Sequence, residues 1–140
     1  YLESVHPEPA LYPKAAKDRA KVLQLCEHIN SGIQPFQNVK IQNWIGERVT
    51  SDPKVKEEFV LTWVRSGMVA LEEMLSRTAG KFSYGDQVTA ADCFVVPQCF
   101  SARRFGVEPD QFPTLSKVWK NCDALAEFQA AHPARQPDAE

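Results

Sequence analysis

Gly85-Asp86-Gln87-Val88-Thr89-Ala90-Ala91-Asp92-Cys93-Phe94-Val95-Val96-Pro97-Gln98-Cys99-Phe100 is the stretch on which the fold turns. Thr89 and Asp92 stand at the spacing of a capping box. The Thr89 hydroxyl can accept from the Asp92 amide while the Asp92 carboxylate reaches back to the Thr89 N–H. Val88 and Cys93 fall at the flanking staple positions. The helix so opened is apolar nearly all round, through Ala90, Ala91, Cys93, Phe94, Val95, Val96, Cys99 and Phe100. Such a helix belongs in the middle of a domain. Pro97 removes one ladder bond and is expected to kink it, and Gly106 ends it.

Working outward, every neighbouring segment also reads as helix. Lys14 to Asn30 carries Ala16, Ala20, Leu23, Cys26 and Ile29 at helical spacing, and Ser31-Gly32 stops it. A second helix starts near Gln34, with Pro35 in its first turn and Phe36, Val39, Trp44 and Ile45 on one side. Asp52-Pro53 opens a third. It holds Val55, Phe59, Trp63, Val64, Met68, Leu71 and Leu75, and a charged face of Lys54, Lys56, Glu57, Glu58, Glu72 and Glu73 that reads as solvated. Beyond the central helix, Pro113 starts another with Leu115, Val118, Trp119 and Cys122. Asp123 is placed to cap a last short one with Leu125 and Phe128, closed by His132-Pro133. Strand alternation is absent, so the expected class is all-α: five to six helices around one central helix. The expected organisation is residues 1–13 as the end of a preceding helix and a proline-rich linker, 14–132 as the helical domain, and 133–140 as a polar tail.

Composition narrows the function. One domain of 140 residues is long enough for a proper core. A net charge of −2 offers no basic footprint for nucleic acid and no polybasic surface for membrane. No apolar run approaches the ~20 residues of a membrane span, and Tyr1-Leu2-Glu3 does not have the form of a signal peptide. Cys26, Cys93, Cys99 and Cys122 make no CxxC pair and the histidines are scattered, so no metal site is expected. The cysteines read as small buried hydrophobes in a reducing compartment, the cytoplasm. No nucleotide loop, zinc motif or nucleophile elbow is present.

Four stretches carry a family resemblance. Gly32-Ile33-Gln34-Pro35-Phe36-Gln37-Asn38 resembles the GIQPLQN signature of zeta-class glutathione transferases. The capping box resembles one found across the whole superfamily. Val96-Pro97-Gln98 with Ala102-Arg103-Arg104-Phe105, and His132-Pro133-Ala134-Arg135-Gln136-Pro137-Asp138, are similar to segments specific to the zeta class. The resemblance runs from Tyr1 to Glu140 and implies the C-terminal helical domain of such an enzyme. The family's thioredoxin-like N-terminal domain, with the Ser-Ser-Cys motif that activates the glutathione thiol, has no counterpart here. The resemblance therefore implies no catalytic residue in this chain, and the helical half alone is expected to be inactive.

Carried over position by position, the resemblance implies that Gln34, Asn38, Val39 and Lys40 contact glutathione and that Arg104 binds the carboxylate of a small substrate. Amides suit the peptide and carboxylate groups of glutathione. Four residues apart on one helical turn, Gln34 and Asn38 are expected to face one cleft. A guanidinium fork suits a carboxylate, and Arg103, about 100° away, is the surface neighbour. Thr89 and Asp92 read as a structural cap. The activity implied is glutathione-dependent isomerisation of maleylacetoacetate to fumarylacetoacetate, in tyrosine and phenylalanine breakdown, with glutathione transferase activity, by a homodimer. The rival reading is a non-catalytic helical scaffold module. Without a second half, apolar surface on the second and third helices is expected to stay exposed.

Overall fold

The computed structural model describes residues 1–139, and these are helical with no named strand. Eight α-helices are described: α1 Leu2–Val5, α2 Ala16–Gly32, α3 Gln34–Gln37, α4 Val39–Arg48, α5 Pro53–Thr78, α6 Ala90–Arg104, α7 Pro113–Asp123 and α8 Ala126–Ala130. Five of them are ten residues or longer, which is the bundle the sequence predicts. Among the described residues no helix is long and apolar enough to cross a membrane.

α6 packs between α2 and α7, and α5 closes the bundle against α2, α3, α4 and α7. The capping box that opens α6 is formed. The Thr89 N–H donates to Asp92 Oδ2 at 2.8 Å, and the Thr89 hydroxyl donates to the same oxygen at 3.2 Å. Asp92 Oδ1 accepts from the Ser83 N–H at 2.8 Å and from the Cys122 thiol at 3.6 Å. This fully buried carboxylate therefore ties the loop, α6 and α7 together. At the other end Gly106 has φ of 77°, a conformation that costs an L side chain dearly. Its N–H reaches the Arg103 carbonyl and the Val107 N–H reaches that of Ala102, the Schellman pattern, with Val107 buried behind it.

Several expectations need correction. The buried stripe of α2 is Val22, Leu25, Cys26 and Ile29, so Ala16, Ala20 and Leu23 are exposed. The stripe is set by what α5 and α6 offer, and Val22 continues the regular three-to-four spacing better than Leu23. On α5 the buried face is Val60, Val64, Gly67, Met68, Leu71 and Leu75, while Val55 and Trp63 are exposed. Glu72 is not merely solvated. Its two oxygens accept from the Thr114 and Leu115 N–H groups, 2.9 Å each, and so cap α7, whose own Phe112 offers no capping side chain. α6 is not buried all round either, for Cys93 and Pro97 share an exposed face. Asp123 does not cap α8. It is the last residue of α7, and Leu125 precedes α8. Asp52 does cap α5, accepting from the Lys54 N–H at 2.9 Å.

The linker is held down. Glu3 accepts from the Leu11 and Tyr12 N–H groups at 3.2 and 3.1 Å, and the Leu11 carbonyl accepts from Ala90 N–H at the start of α6. Part of the tail folds back as a 3-10 turn, Pro133–Arg135, with the Gln136 amide donating to the Ala130 carbonyl at 2.9 Å. Large apolar side chains are exposed along α4 and α5, among them Val39, Trp44, Val49, Leu61 and Val69.

Candidate functional site

Four of the five candidate ligand contacts, Gln34, Asn38, Val39 and Lys40, gather at the corner where α2 gives way to α4. α2 ends at Gly32, and Ile33 then turns inward until none of it is exposed. Ile33 seats against Gly67 of α5. A Cβ at that position would lie 2.5 Å from Ile33 Cγ1 and 2.9 Å from Cδ1. The His28 Nε2 sits 2.9 Å from the Gly67 carbonyl and closes the same seam. Phe36 stacks on Trp63 of α5, with centroids 4.7 Å apart and planes at 15°.

The chain does not continue from there as one helix. α3 holds only Gln34–Gln37, and Asn38 is extended at φ −69°, ψ 134°. Its side-chain oxygen accepts from the Lys40 N–H at 2.9 Å, so Asn38 is the N-cap of α4. Gln34 and Asn38 are consequently not on one helical turn, contrary to expectation. A short amide gains more by capping than by sitting in a helix interior, where it competes with the ladder. The Gln42 side chain fixes the break by donating to the Gln37 carbonyl at 2.9 Å.

Gln34, Asn38, Val39 and Lys40 are all exposed at this corner. Gln34 is nonetheless anchored. Its Nε2 donates to Oε1 of Gln98, on α6, at 2.9 Å. Gln34 therefore keeps Oε1 as an acceptor, while Asn38, with its oxygen used in capping, keeps its NH2 as a donor. Gln37 and Gln98 are the polar residues that sequence reasoning passed over. The available signal was an amide, Gln98, on the central helix among apolar neighbours.

Arg104 lies apart from that corner. It is exposed near the end of α6 and lines a cleft of about 600 Å³ with Lys54, Glu57, Glu58, Leu61 and Phe105. None of the four corner residues lines this cleft. Among the described residues Arg104 forms no ion pair, whereas Arg103 pairs with Glu108 at 3.3 Å and lies over the Trp119 ring. Arg103 is thus the surface-bound neighbour and Arg104 the uncommitted one. A larger groove, about 810 Å³, lies between the linker and α8 and contains none of the candidate residues.

The thiols are poorly suited to nucleophilic work. Burial pushes Cys26 from its ordinary 9.0 up to about 11. Burial raises Cys99 further, and burial with the Asp92 charge raises Cys122 and, less strongly, Cys93. Each is therefore a neutral thiol at pH 7, the less reactive form.

Residues 36–132 match the family described as glutathione S-transferase, C-terminal domain. The chain belongs to that family. The chain has relatives that carry the zeta-class name. It is 40% identical over 138 residues to probable maleylacetoacetate isomerase 2 of Drosophila melanogaster, covering 99% of this chain and 58% of that protein. A crystal structure of maleylacetoacetate isomerase from Anaeromyxobacter dehalogenans, with glutathione bound in its active site, superposes with a TM-score of 0.94 at 48% identity. It covers 99% of this chain and 63% of that one. Maleylpyruvate isomerase from Pseudomonas aeruginosa gives 0.93 at 34% identity, covering all of this chain and 73% of that one. The chain spans about three-fifths of the length of the curated relatives it matches.

Proposed function

We propose that the chain is the helical half of a glutathione-dependent maleylacetoacetate isomerase, which converts maleylacetoacetate to fumarylacetoacetate in tyrosine and phenylalanine breakdown. The observation that carries this reading is the superposition, at 0.94 and 48% identity, on an isomerase crystallised with glutathione in its active site. The donor set at the α3–α4 corner suits that tripeptide. It combines an anchored acceptor (Gln34), a free amide donor (Asn38) and a cation (Lys40), and glutathione has peptide, amine and carboxylate groups to match.

When bound, glutathione supplies the thiol whose reversible addition to a conjugated cis double bond permits rotation to the trans form. This chain's own residues bind and orient. Gln34 accepts from a ligand N–H, Asn38 donates to a carbonyl or carboxylate, and Lys40 pairs with a carboxylate. Val39 contributes an apolar edge. Arg104, uncommitted and beside a cleft, grips the carboxylate of a small substrate by its planar fork. The thiols of this chain, raised by burial, contribute no thiolate; the reacting thiol is glutathione's own. The same site conjugates glutathione to small haloacids. The protein works in the cytoplasm as a homodimer, which the exposed apolar residues of α4 and α5 support.

The test is steady-state isomerisation by the full-length protein, with maleylacetoacetate and maleylpyruvate compared at saturating glutathione. Maleylacetoacetate is the better substrate, and activity disappears without glutathione. Arg104→Ala raises KM for the acid about tenfold or more and moves kcat much less, as loss of a charged hydrogen bond made throughout the reaction should. No glutathione-dependent isomerisation would retire the reading, and an unchanged KM would remove Arg104 from the site.

A further inference from the structure

Gln98 is an amide on the central helix with none of its surface exposed. A buried amide is costly unless its groups are paired, and all its pairing comes from α3. Its Oε1 accepts from Gln34 Nε2 at 2.9 Å and from Gln37 Nε2 at 3.2 Å, and its Nε2 donates to Gln37 Oε1 at 3.4 Å. Both lone pairs of Gln98 Oε1 are used. A purely structural role would be complete with Gln37 alone, because that reciprocal pair already joins α3 to α6. The bond to Gln34 is different in kind. Gln34 is exposed, water could satisfy it, and its rotamers would otherwise be free.

We propose that Gln98 is a positioning residue that holds the Gln34 amide with its carbonyl outward, ready to accept from a ligand N–H. The inference rests on the reading of Gln34 as a glutathione contact. Gln37 locks Gln98, Gln98 locks Gln34, and the exposed amide meets its ligand already ordered. Binding then loses less rotamer freedom. Ile33, seated on Gly67, fixes the backbone from which Gln34 projects.

The experiment is a double-mutant cycle in the full-length enzyme, read as KM for glutathione and kcat at saturating glutathione. Gln34→Ala raises KM. Gln98→Met, similar in shape but unable to hydrogen-bond, raises KM about three- to tenfold, from the ordering it removes, and moves kcat much less. On the Gln34→Ala background Gln98→Met adds less than about 1.5-fold, because its effect passes through Gln34. Gln98→Glu keeps, in either protonation state, a side-chain oxygen that accepts from Gln34 Nε2, so it keeps KM within about twofold of wild type. If Gln34→Ala raises KM while Gln98→Met does not, the inference is overturned and the reading of Gln34 stands. Equal rises on both backgrounds overturn it too, as does a Gln98→Glu that behaves like Gln98→Met. An unchanged KM in Gln34→Ala strikes at Gln34 itself and takes the inference with it. Should Gln98→Met not fold, the wild-type protein provides the answer by NMR. The Gln34 side-chain amide, assigned as the pair of signals lost in Gln34→Ala, must show one shifted, exchange-protected proton; a rapidly exchanging pair overturns the inference.

Discussion

Gly67→Ala should destabilise the protein, although the position lies in the middle of a 26-residue helix where alanine is ordinarily the better residue. Helix propensity alone favours the change by about 1 kcal/mol. Against it stands Ile33. The added methyl would sit 2.5 Å from Cγ1 and 2.9 Å from Cδ1 of a side chain that is itself fully buried, so nothing flexible can swing aside into solvent. Overpacking of this kind costs roughly 2–3 kcal/mol, leaving a net loss of about 1–2 kcal/mol. For a protein in the range of roughly 150–250 residues that is a fall in Tm of about 2–8 °C. The assay is thermal and urea denaturation of the full-length protein, with Ile33→Ala and the double variant alongside. Ile33→Ala alone opens a cavity and costs about 2–5 kcal/mol. In the double variant the new methyl partly fills that cavity, so the two losses fall short of additive by about 1–3 kcal/mol. A Gly67→Ala protein that melts higher than wild type, or strictly additive losses, would refute the reasoning. It would mean that Ile33 does not occupy the notch at Gly67.

Three further outcomes follow from the same structure. Glu72→Ala should cost about 1–2 kcal/mol by uncapping α7, more than an exposed glutamate would; denaturation measures it, and a loss below about 0.3 kcal/mol would show that Thr114 and Leu115 find water instead. Asp92→Ala should cost about 3 kcal/mol or more, because it strands the buried Ser83 and Thr89 N–H groups, whereas Thr89→Ala costs about 1 kcal/mol; equal losses would contradict the three-way role of Asp92. Cys26 has its folded value raised from 9.0 to about 11, so its contribution is fully present below pH 9 and is lost as pH rises from 9 through 11. Denaturation across that window should show stability falling with pH less steeply in Cys26→Ala, and identical slopes would place no titration on Cys26.

The capping box and the glycine after α6 could be read directly because they depend on residues within a few positions of one another. Thr89 with Asp92, Asp52 with Lys54, and Gly106 with the last turn of α6 all behave as their spacing predicts. The break at Asn38 was also local, yet it was missed. The apolar pattern of Phe36, Val39 and Ile45 suits one helix well enough to mask a capping residue inside it. The candidate site was legible only as family-like residues. Periodicity carries no information on which exposed amide is free and which is anchored.

What the sequence determined by itself was the helical class, the position of α6 at the heart of the bundle, and the caps that open α5 and open and close α6. These follow from side chains acting on their own backbone, a matter of three or four residues. Tertiary structure alone decided the rest. Glu72 became a cap because α7 arrives beside α5, 42 positions away in sequence. Gln98 became an anchor because α3 lies against α6, 64 positions from Gln34. Gly67 became a notch because Ile33 needs one. Each is a polar or steric demand met by a distant partner, and only the packing of helices brings such partners within reach of one another.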